Sequence, residues 1–305
     1  MYDICTIGHI TLDKVVTGQS VNYMPGGTSF YFSKALRQFE VNYKLVTALA
    51  EKERHIVDTI RQDGIDVSAL PSEHTVFFEN IYSLDQDYRE QNVHHQAASF
   101  EVEGMPAIDA QIYHLGPLLS DDISVKLLKA LAQKGLVSLD IQGYLRYVSN
   151  KKVLYRDWID KHEALPHVSI LKANEHEMEV ITGKEDPHEG AKYLADLGVR
   201  EVIITLGSKG SIVYTEGQFH TIPAFEPSAV VDATGCGDTY MAGYLFKKVK
   251  GATVQESGEF GAAMATLKIE SSGPFSGTAG TVEDVLKNRR TGKLKNKKTS
   301  TVSTF

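Results

Sequence analysis

A chain of 305 residues with 42% hydrophobic and 23% charged side chains is long enough to bury a sizeable core, and its composition excludes a disordered or fibrous body. A formal charge of -7 argues against a nucleic-acid-binding body, and two cysteines, Cys5 and Cys236, leave no basis for a disulfide framework or a cysteine zinc site. No basic segment followed by an apolar one opens the sequence and no window approaches 18 apolar residues, so no membrane partner and a cytoplasmic location are expected.

Short Val- and Ile-rich runs alternate with helical patterns, the signature of βα units around a parallel sheet. Strands are expected over residues 3–8, 43–47, 111–115, 136–139, 168–171 and 201–205, and helices over 29–38, 52–63, 121–133, 175–181 and 188–197. Residues 211–215 and 219–222 read as a hairpin joined by Gly217-Gln218, and two last helices follow over about 238–248 and 255–271.

Two segments break the alternation. Residues 14–24 read as strands around a Gly18-Gln19-Ser20 turn, and residues 74–103 have aromatic, period-two character without a helical repeat. Both fit a small sheet that acts as a lid over the C-terminal ends of the main strands, where open α/β sheets bind ligands. The expected organisation is one domain over residues 1–285 with lid segments at about 14–24 and 74–103. Residues 286–305 follow as a basic, solvated tail, with weak anion binding as the sharper alternative.

Asp232-Ala-Thr-Gly-Cys-Gly-Asp238 carries the strongest chemical signal. Amides of Gly235, Cys236 and Gly237 at a helix start can form an anion hole for a moving phosphoryl group, and Asp238 can take the proton of an acceptor hydroxyl. The plain alternative is an Asp that complements the helix dipole, worth roughly 0.3–1 kcal/mol. Asn174-Glu-His-Glu177 places Asn174 and Glu177 on one side of a first helical turn, where they can cap the helix, hold waters around a Mg²⁺, or do both. Thr205-Leu-Gly207-Ser-Lys-Gly210 lets backbone approach a nucleotide closely, and is equally a common hairpin turn.

Near the start, Asp13 can accept hydrogen bonds from neighbouring hydroxyls of a polyol, and Gly26-Gly27 can hinge a lid; a surface Asp and a helix-start turn are the plain readings. His74, His94 and His95 match no usual zinc spacing. No G-x-x-x-x-G-K-[ST] occurs.

Gly-Gly, N-x-x-E, T-x-G-x-x-G and D-x-T-G-x-G-D, in this order over roughly residues 1–285, resemble the ribokinase-like (PfkB-type) carbohydrate kinases. The resemblance implies a doubly wound, mostly parallel α/β sheet with helices on both faces and a β-sheet lid. It also implies ATP and Mg²⁺ as co-substrates, a monovalent cation such as K⁺ as a candidate, and a hydroxyl acceptor on a sugar, polyol or nucleoside. Carried over by motif, Asp238 is the base, Gly235 to Gly237 the anion hole, and Asn174 and Glu177 organise Mg²⁺ and phosphate, Glu177 through water. Thr205, Gly207 and Gly210 line the ATP side, and Asp13, Gly26 and Gly27 meet the acceptor.

The chain departs from the family pattern after Gly27. Thr28-Ser-Phe-Tyr31-Phe stands where many sugar-specific members carry an Asn, so Tyr31 brings aromatic bulk to the acceptor end and a cyclitol such as inositol joins the candidates. Phe30, Tyr31 and Phe32 could instead stack on the base of a nucleoside. Asp140-Ile-Gln142-Gly-Tyr-Leu-Arg146 resembles a D-x-N-x-R segment with Gln142 in the Asn place and Arg146 displaced by two, which makes both acceptor-site candidates. A non-catalytic ligand sensor on the same scaffold is the remaining reading. Family lids often pair between subunits, and the aromatic segment 76–82 would offer a sheet edge, so a homodimer through the lid is expected.

Overall fold

The computed structural model describes residues 1–17, 20–82 and 89–290. Gly18-Gln19 of the expected lid turn, residues 83–88 of the second lid segment and residues 291–305 of the expected tail lie outside the described residues.

The chain opens with β1 (Tyr2–Ile7), β2 (Thr11–Val16), β3 (Val21–Gly26), α1 (Thr28–Leu36), β4 (Tyr43–Leu49), α2 (Arg54–Gln62) and β5 (Asp66–Pro71). It continues through β6 (Val76–Tyr82), β7 (Arg89–His95), β8 (Ala110–Leu115), α3 (Val125–Ala132), β9 (Leu136–Asp140), β10 (Arg146–Ser149), β11 (Lys152–Tyr155) and α4 (Lys161–Ala164). It closes with β12 (Ile170–Asn174), α5 (Glu175–Thr182), α6 (Pro187–Asp196), β13 (Glu201–Thr205), β14 (Ser211–Thr215), β15 (Gln218–Ile222), α7 (Cys236–Val249), α8 (Val254–Ile269) and α9 (Ala279–Arg290).

Nine strands form the main sheet in the order β15-β14-β13-β12-β9-β8-β1-β4-β5, with every pairing parallel except β13–β14 and β14–β15, so β14 alone runs the opposite way. From β1 the chain winds one way to β4 and β5, then crosses to β8 and winds the other way. The order therefore reverses at the β1–β8 seam, which opens a crevice at the strand C-termini. Near-continuous Val, Ile and Leu in these strands reflects burial on both faces. On one face α1, α2, α7, α8 and α9 bury residues such as Phe32, Ile60, Tyr244 and Met264. On the other, α3, α5 and α6 bury Leu128, Ile181 and Leu194. Each fully buried side chain of this size contributes about 1.5–3 kcal/mol.

Six strands in the order β10-β11-β7-β6-β2-β3 make the lid. Its apolar patch of Val76, Phe78 and Val93 packs on Leu118 and Leu119, just past the end of β8, and so seats the lid over the crevice.

Several elements differ from expectation for local reasons. The third helix starts at Val125, not residue 121, because Ser124 accepts the amide of Leu127 as its cap while Asp122 turns away to accept those of Leu118 and Leu119. The lid gains β10 and β11, joined through Asn150 and Lys151 at φ 49° and 68°; a tight turn with no glycine hides this hairpin from sequence inspection. The β14–β15 turn is Glu216-Gly217, one residue earlier than expected. β12 runs to Asn174 rather than stopping at 171, and this places Lys172 inside a buried strand. β5 at the sheet edge was not anticipated, and α9 runs past the expected boundary at residue 285. β6 lies between β2 and β7, so residues 76–82 are an inner strand; the lid's edges are β3 and β10.

Candidate active site

Gly235 is the N-cap of α7 with φ 75°, a left-handed conformation that costs an L side chain about 1 kcal/mol or more. A side chain here would also collide with the ring of Tyr31, which packs against the glycine. The amide of Cys236 is committed to Ala233 O at 3.2 Å and that of Thr239 to Gly235 O at 2.9 Å. Among the described residues the amides of Gly235 and Gly237 have no acceptor, whereas that of Cys236, expected beside them, is taken.

Asp238 follows in the first turn of α7. It keeps part of its surface on the crevice, yet its carboxyl is surrounded closely enough that burial, with Asp140 next, pushes its pKa up to about 7. Lys172 and a hydrogen bond from Thr28, the first residue of α1, pull the other way, while Glu177 adds to the rise.

Lys172 is the element that sequence inspection missed. Its Nζ lies 3.0 Å from Asp140 Oδ2 and 3.7 Å from Glu177 Oε2, and a Cβ built on Gly237 would stand 3.2 Å from it. Burial alone would push this lysine towards the neutral amine, but Asp140, Glu177 and Asp238 outweigh it and hold its pKa above the usual lysine value. The β12–β9 register, Lys172 opposite Asp140, creates the pair.

Asn174 and Glu177 form a complete capping box on α5: Asn174 Oδ1 accepts the amide of Glu177 at 2.9 Å and Glu177 Oε2 accepts that of Asn174 at 2.8 Å. Glu177 is 1% exposed, so it has no open face for a directly bonded ion. Among the described residues no group of three or more His, Cys, Asp or Glu is arranged to hold a metal. His94 Nε2 lies 3.0 Å from Glu79, and the rings of His74 and His95 sit 4.7 Å apart. Thr205 pairs in register with Asn174 at the end of β13, and the turn after it reaches Gly210, where a side chain would strike the backbone of Ile222. Gly207, at φ 56°, faces open space.

At the other end, Thr11 donates to Asp13 Oδ1 at 2.7 Å, and the carboxylate lies against Gly26, which must lack a side chain to admit it. Gly27, at φ 88°, begins α1, and a Cβ there would stand 2.6 Å from His9 O. Asp13, Gly26 and Gly27 are thus brought together. Tyr31, one helical turn after Gly27, is 3% exposed, and its ring packs against Gly235. Phe30 and Phe32 are buried too. Gln142 is half-buried just past β9, its amide on Asp140 Oδ1 at 3.2 Å. Arg146 opens lid strand β10 with Nε on Tyr155 OH at 3.2 Å and its guanidinium 5.6 Å from that ring, which ties it to the neighbouring strand. Two cavities, of about 330 and 260 Å³, lie elsewhere and border none of these residues.

The description "pfkB family carbohydrate kinase" matches residues 1–279. The chain belongs to this family. Among curated relatives, a cytidine kinase of Thermococcus kodakarensis is 27% identical over 290 residues, 90% of this chain and 99% of the relative. Among solved structures, a pyrophosphate-dependent kinase of the ribokinase family, complexed with a pyrophosphate analog and myo-inositol, is 27% identical. It superposes at a TM-score of 0.81 over 93% of this kinase and 99% of that chain. Arabidopsis thaliana ribokinase, complexed with ribose and ATP, shares the fold at 21% identity and a TM-score of 0.76, with 94% and 99% covered. The kinase is accordingly a phosphotransferase with an alcohol group as acceptor, on a ribokinase-like fold. Among the described residues no helix is long and apolar enough to cross a membrane.

Proposed function

We propose that this kinase transfers the γ-phosphoryl group of Mg-ATP to a hydroxyl of a polyol of the cyclitol class, with Asp238 as general base. The observation that carries the reading is one small volume holding a carboxyl with a pKa near 7, two unpaired amides and a buried ammonium. The acceptor hydroxyl passes its proton to the Asp238 carboxylate as its oxygen attacks the γ-phosphorus in line; the bond to the β-phosphate oxygen breaks and ADP leaves. The amides of Gly235 and Gly237 meet the charge that develops on the phosphoryl oxygens, and Lys172 keeps the surrounding carboxylates from repelling it.

Mg²⁺ would come with the donor and offset the charge on its phosphates, and Asn174 and Glu177 would orient it through water. Thr205, Gly207 and Gly210 line the donor side, and the exposed Val230 and Val231 just before Asp232 offer an apolar face that a purine covers.

For the acceptor, Asp13 takes two neighbouring hydroxyls. Burial of Phe30, Tyr31 and Phe32 removes the stacking surface on which the nucleoside reading rested. Likeness to a kinase crystallised with myo-inositol supports a cyclitol. Two competing readings have specific support: cytidine as acceptor, from the relative that matches nearly full length, and pyrophosphate as donor, from the myo-inositol complex. A matrix of ATP and pyrophosphate against myo-inositol, ribose and cytidine, followed by ³¹P NMR, separates them. Turnover of ATP with myo-inositol is expected; turnover with cytidine alone overturns the acceptor reading, and turnover with pyrophosphate alone overturns the donor reading. A lid-mediated homodimer through the β3 edge, where Val21 and Tyr23 are exposed, is part of the proposal. Its solution mass at micromolar concentration is expected at twice the chain's, and a monomeric mass contradicts it.

A further inference from the structure

The turn that presents the anion hole is anchored by a lysine that the phosphoryl-transfer chemistry does not touch. Lys268, in the last turn of α8, is fully buried. Its Nζ donates to Asp232 O at 2.8 Å, to Asp232 Oδ2 at 3.2 Å and to Ser271 O at 3.3 Å, so three N–H bonds meet three oxygens. Asp232 in turn shapes the glycine turn: its Oδ1 accepts the amide of Thr234 at 2.9 Å, and the amides of Val231 and Asp232 are held by Ile269 O at 2.8 and 3.2 Å. A cation beside the C-terminal carbonyls of a helix is also favoured by the helix dipole.

Two carbonyl oxygens and a carboxylate oxygen converging on one positive centre form the coordination chemistry of a small monovalent cation. Here that centre is an ammonium already bonded to the chain, so these oxygens do not fit a separate K⁺. We propose that Lys268 is a tethered monovalent cation: a positioning residue that locks Asp232 to Ser271 and thereby holds the amides of Gly235 and Gly237 where the phosphoryl group passes. The K⁺ that the family resemblance suggests is not required. The proposal rests on the chain being a phosphotransferase and is independent of which acceptor or donor it uses.

The test compares wild type, Lys268→Ala and Lys268→Met, with whichever donor–acceptor pair the wild type turns over, in K⁺, NH₄⁺ or tetramethylammonium chloride at equal ionic strength. Wild-type kcat is expected to be the same in all three salts. In tetramethylammonium chloride both variants are expected to lose about tenfold or more in kcat with the acceptor KM within about twofold, the pattern of an interaction made in the transition state. In Lys268→Ala, which leaves room for an ion, K⁺ or NH₄⁺ restores kcat and raises the Tm, whereas tetramethylammonium does neither. If loss of the charge unfolds the chain, Lys268→Met combined with Asp232→Asn removes both partners and is read for the same split between kcat and KM. A wild type that requires K⁺, a Lys268→Met or double variant with full kcat, or a Lys268→Ala defect that no cation relieves overturns the proposal. The cation-dependent Tm is read without substrate, so a wrong acceptor assignment cannot mimic failure here.

Discussion

Lys172 Nζ lies 3.0 Å from Asp140 Oδ2, both side chains almost fully buried and opposite each other on adjacent strands. The pair acts on Asp238 in opposite senses: Asp140 raises its pKa and Lys172 lowers it, leaving it at about 7. Activity that needs the Asp238 carboxylate should therefore rise with pH and be half-maximal near pH 7. Asp140→Asn removes a like charge and moves this acid limb down, and Lys172→Met removes the opposing charge and moves it up, each by about one unit. Profiles of kcat between pH 5 and 9 check this; shifts in the same direction for both variants contradict it.

Asp238 also links the site to stability. Its carboxyl has an ordinary pKa when unfolded and a raised one when folded, so the folded state binds the proton more tightly. The contribution is favourable below about pH 4, is lost progressively as pH rises to about 7, and stays lost above that. Asp238→Asn, which cannot ionise, should match wild type in acid and be more stable at pH 8 by about 1–3 kcal/mol, the shift discounted for the carboxyl's partial access to water. Thermal melts at pH 4.5 and 8 measure the difference; a variant less stable at pH 8 than at pH 4.5, relative to wild type, would falsify the assignment.

Gly235→Ala adds a methyl group into the ring of Tyr31 at a left-handed position. The turn must shift, so kcat should fall at least about tenfold and stability by about 1–3 kcal/mol. Tyr31→Leu in the same chain relieves the collision but not the backbone strain, so part of the loss should return. Equal defects in the single and double variants would mean that the ring does not set the turn.

Lys151 sits at φ 68° in the β10–β11 turn with no glycine to relieve it. Lys151→Gly should stabilise the protein by about 0.5–1 kcal/mol, read as a rise in Tm of a few degrees at most. A fall in Tm would show that the lysine side chain holds the lid in some other way.

The order of βα units and the glycine turn at Asp238 were legible because hydrophobic period and local turn chemistry carry them. The Asn174–Glu177 cap was legible for the same reason, since a capping box lies within four residues. Lys172 was not, because a lysine near a strand end reads as solvated, and only the pairing of β12 with β9 reveals that it faces Asp140. What covers Tyr31 was not legible, because helical periodicity gives a face but not its partner; Gly235, more than 200 residues away in sequence, packs on the ring. The β10–β11 hairpin lacked the glycine that normally announces such a turn.

The central claim, that Asp238 deprotonates the acceptor hydroxyl, is tested most directly by single-turnover phosphoryl transfer in Asp238→Asn with the donor–acceptor pair the wild type uses. The variant should fold, bind both substrates with affinities near those of wild type, and transfer phosphate about 10²–10⁴-fold more slowly, without the acid limb near pH 7. A folded Asp238→Asn that transfers phosphate at close to the wild-type rate would contradict it.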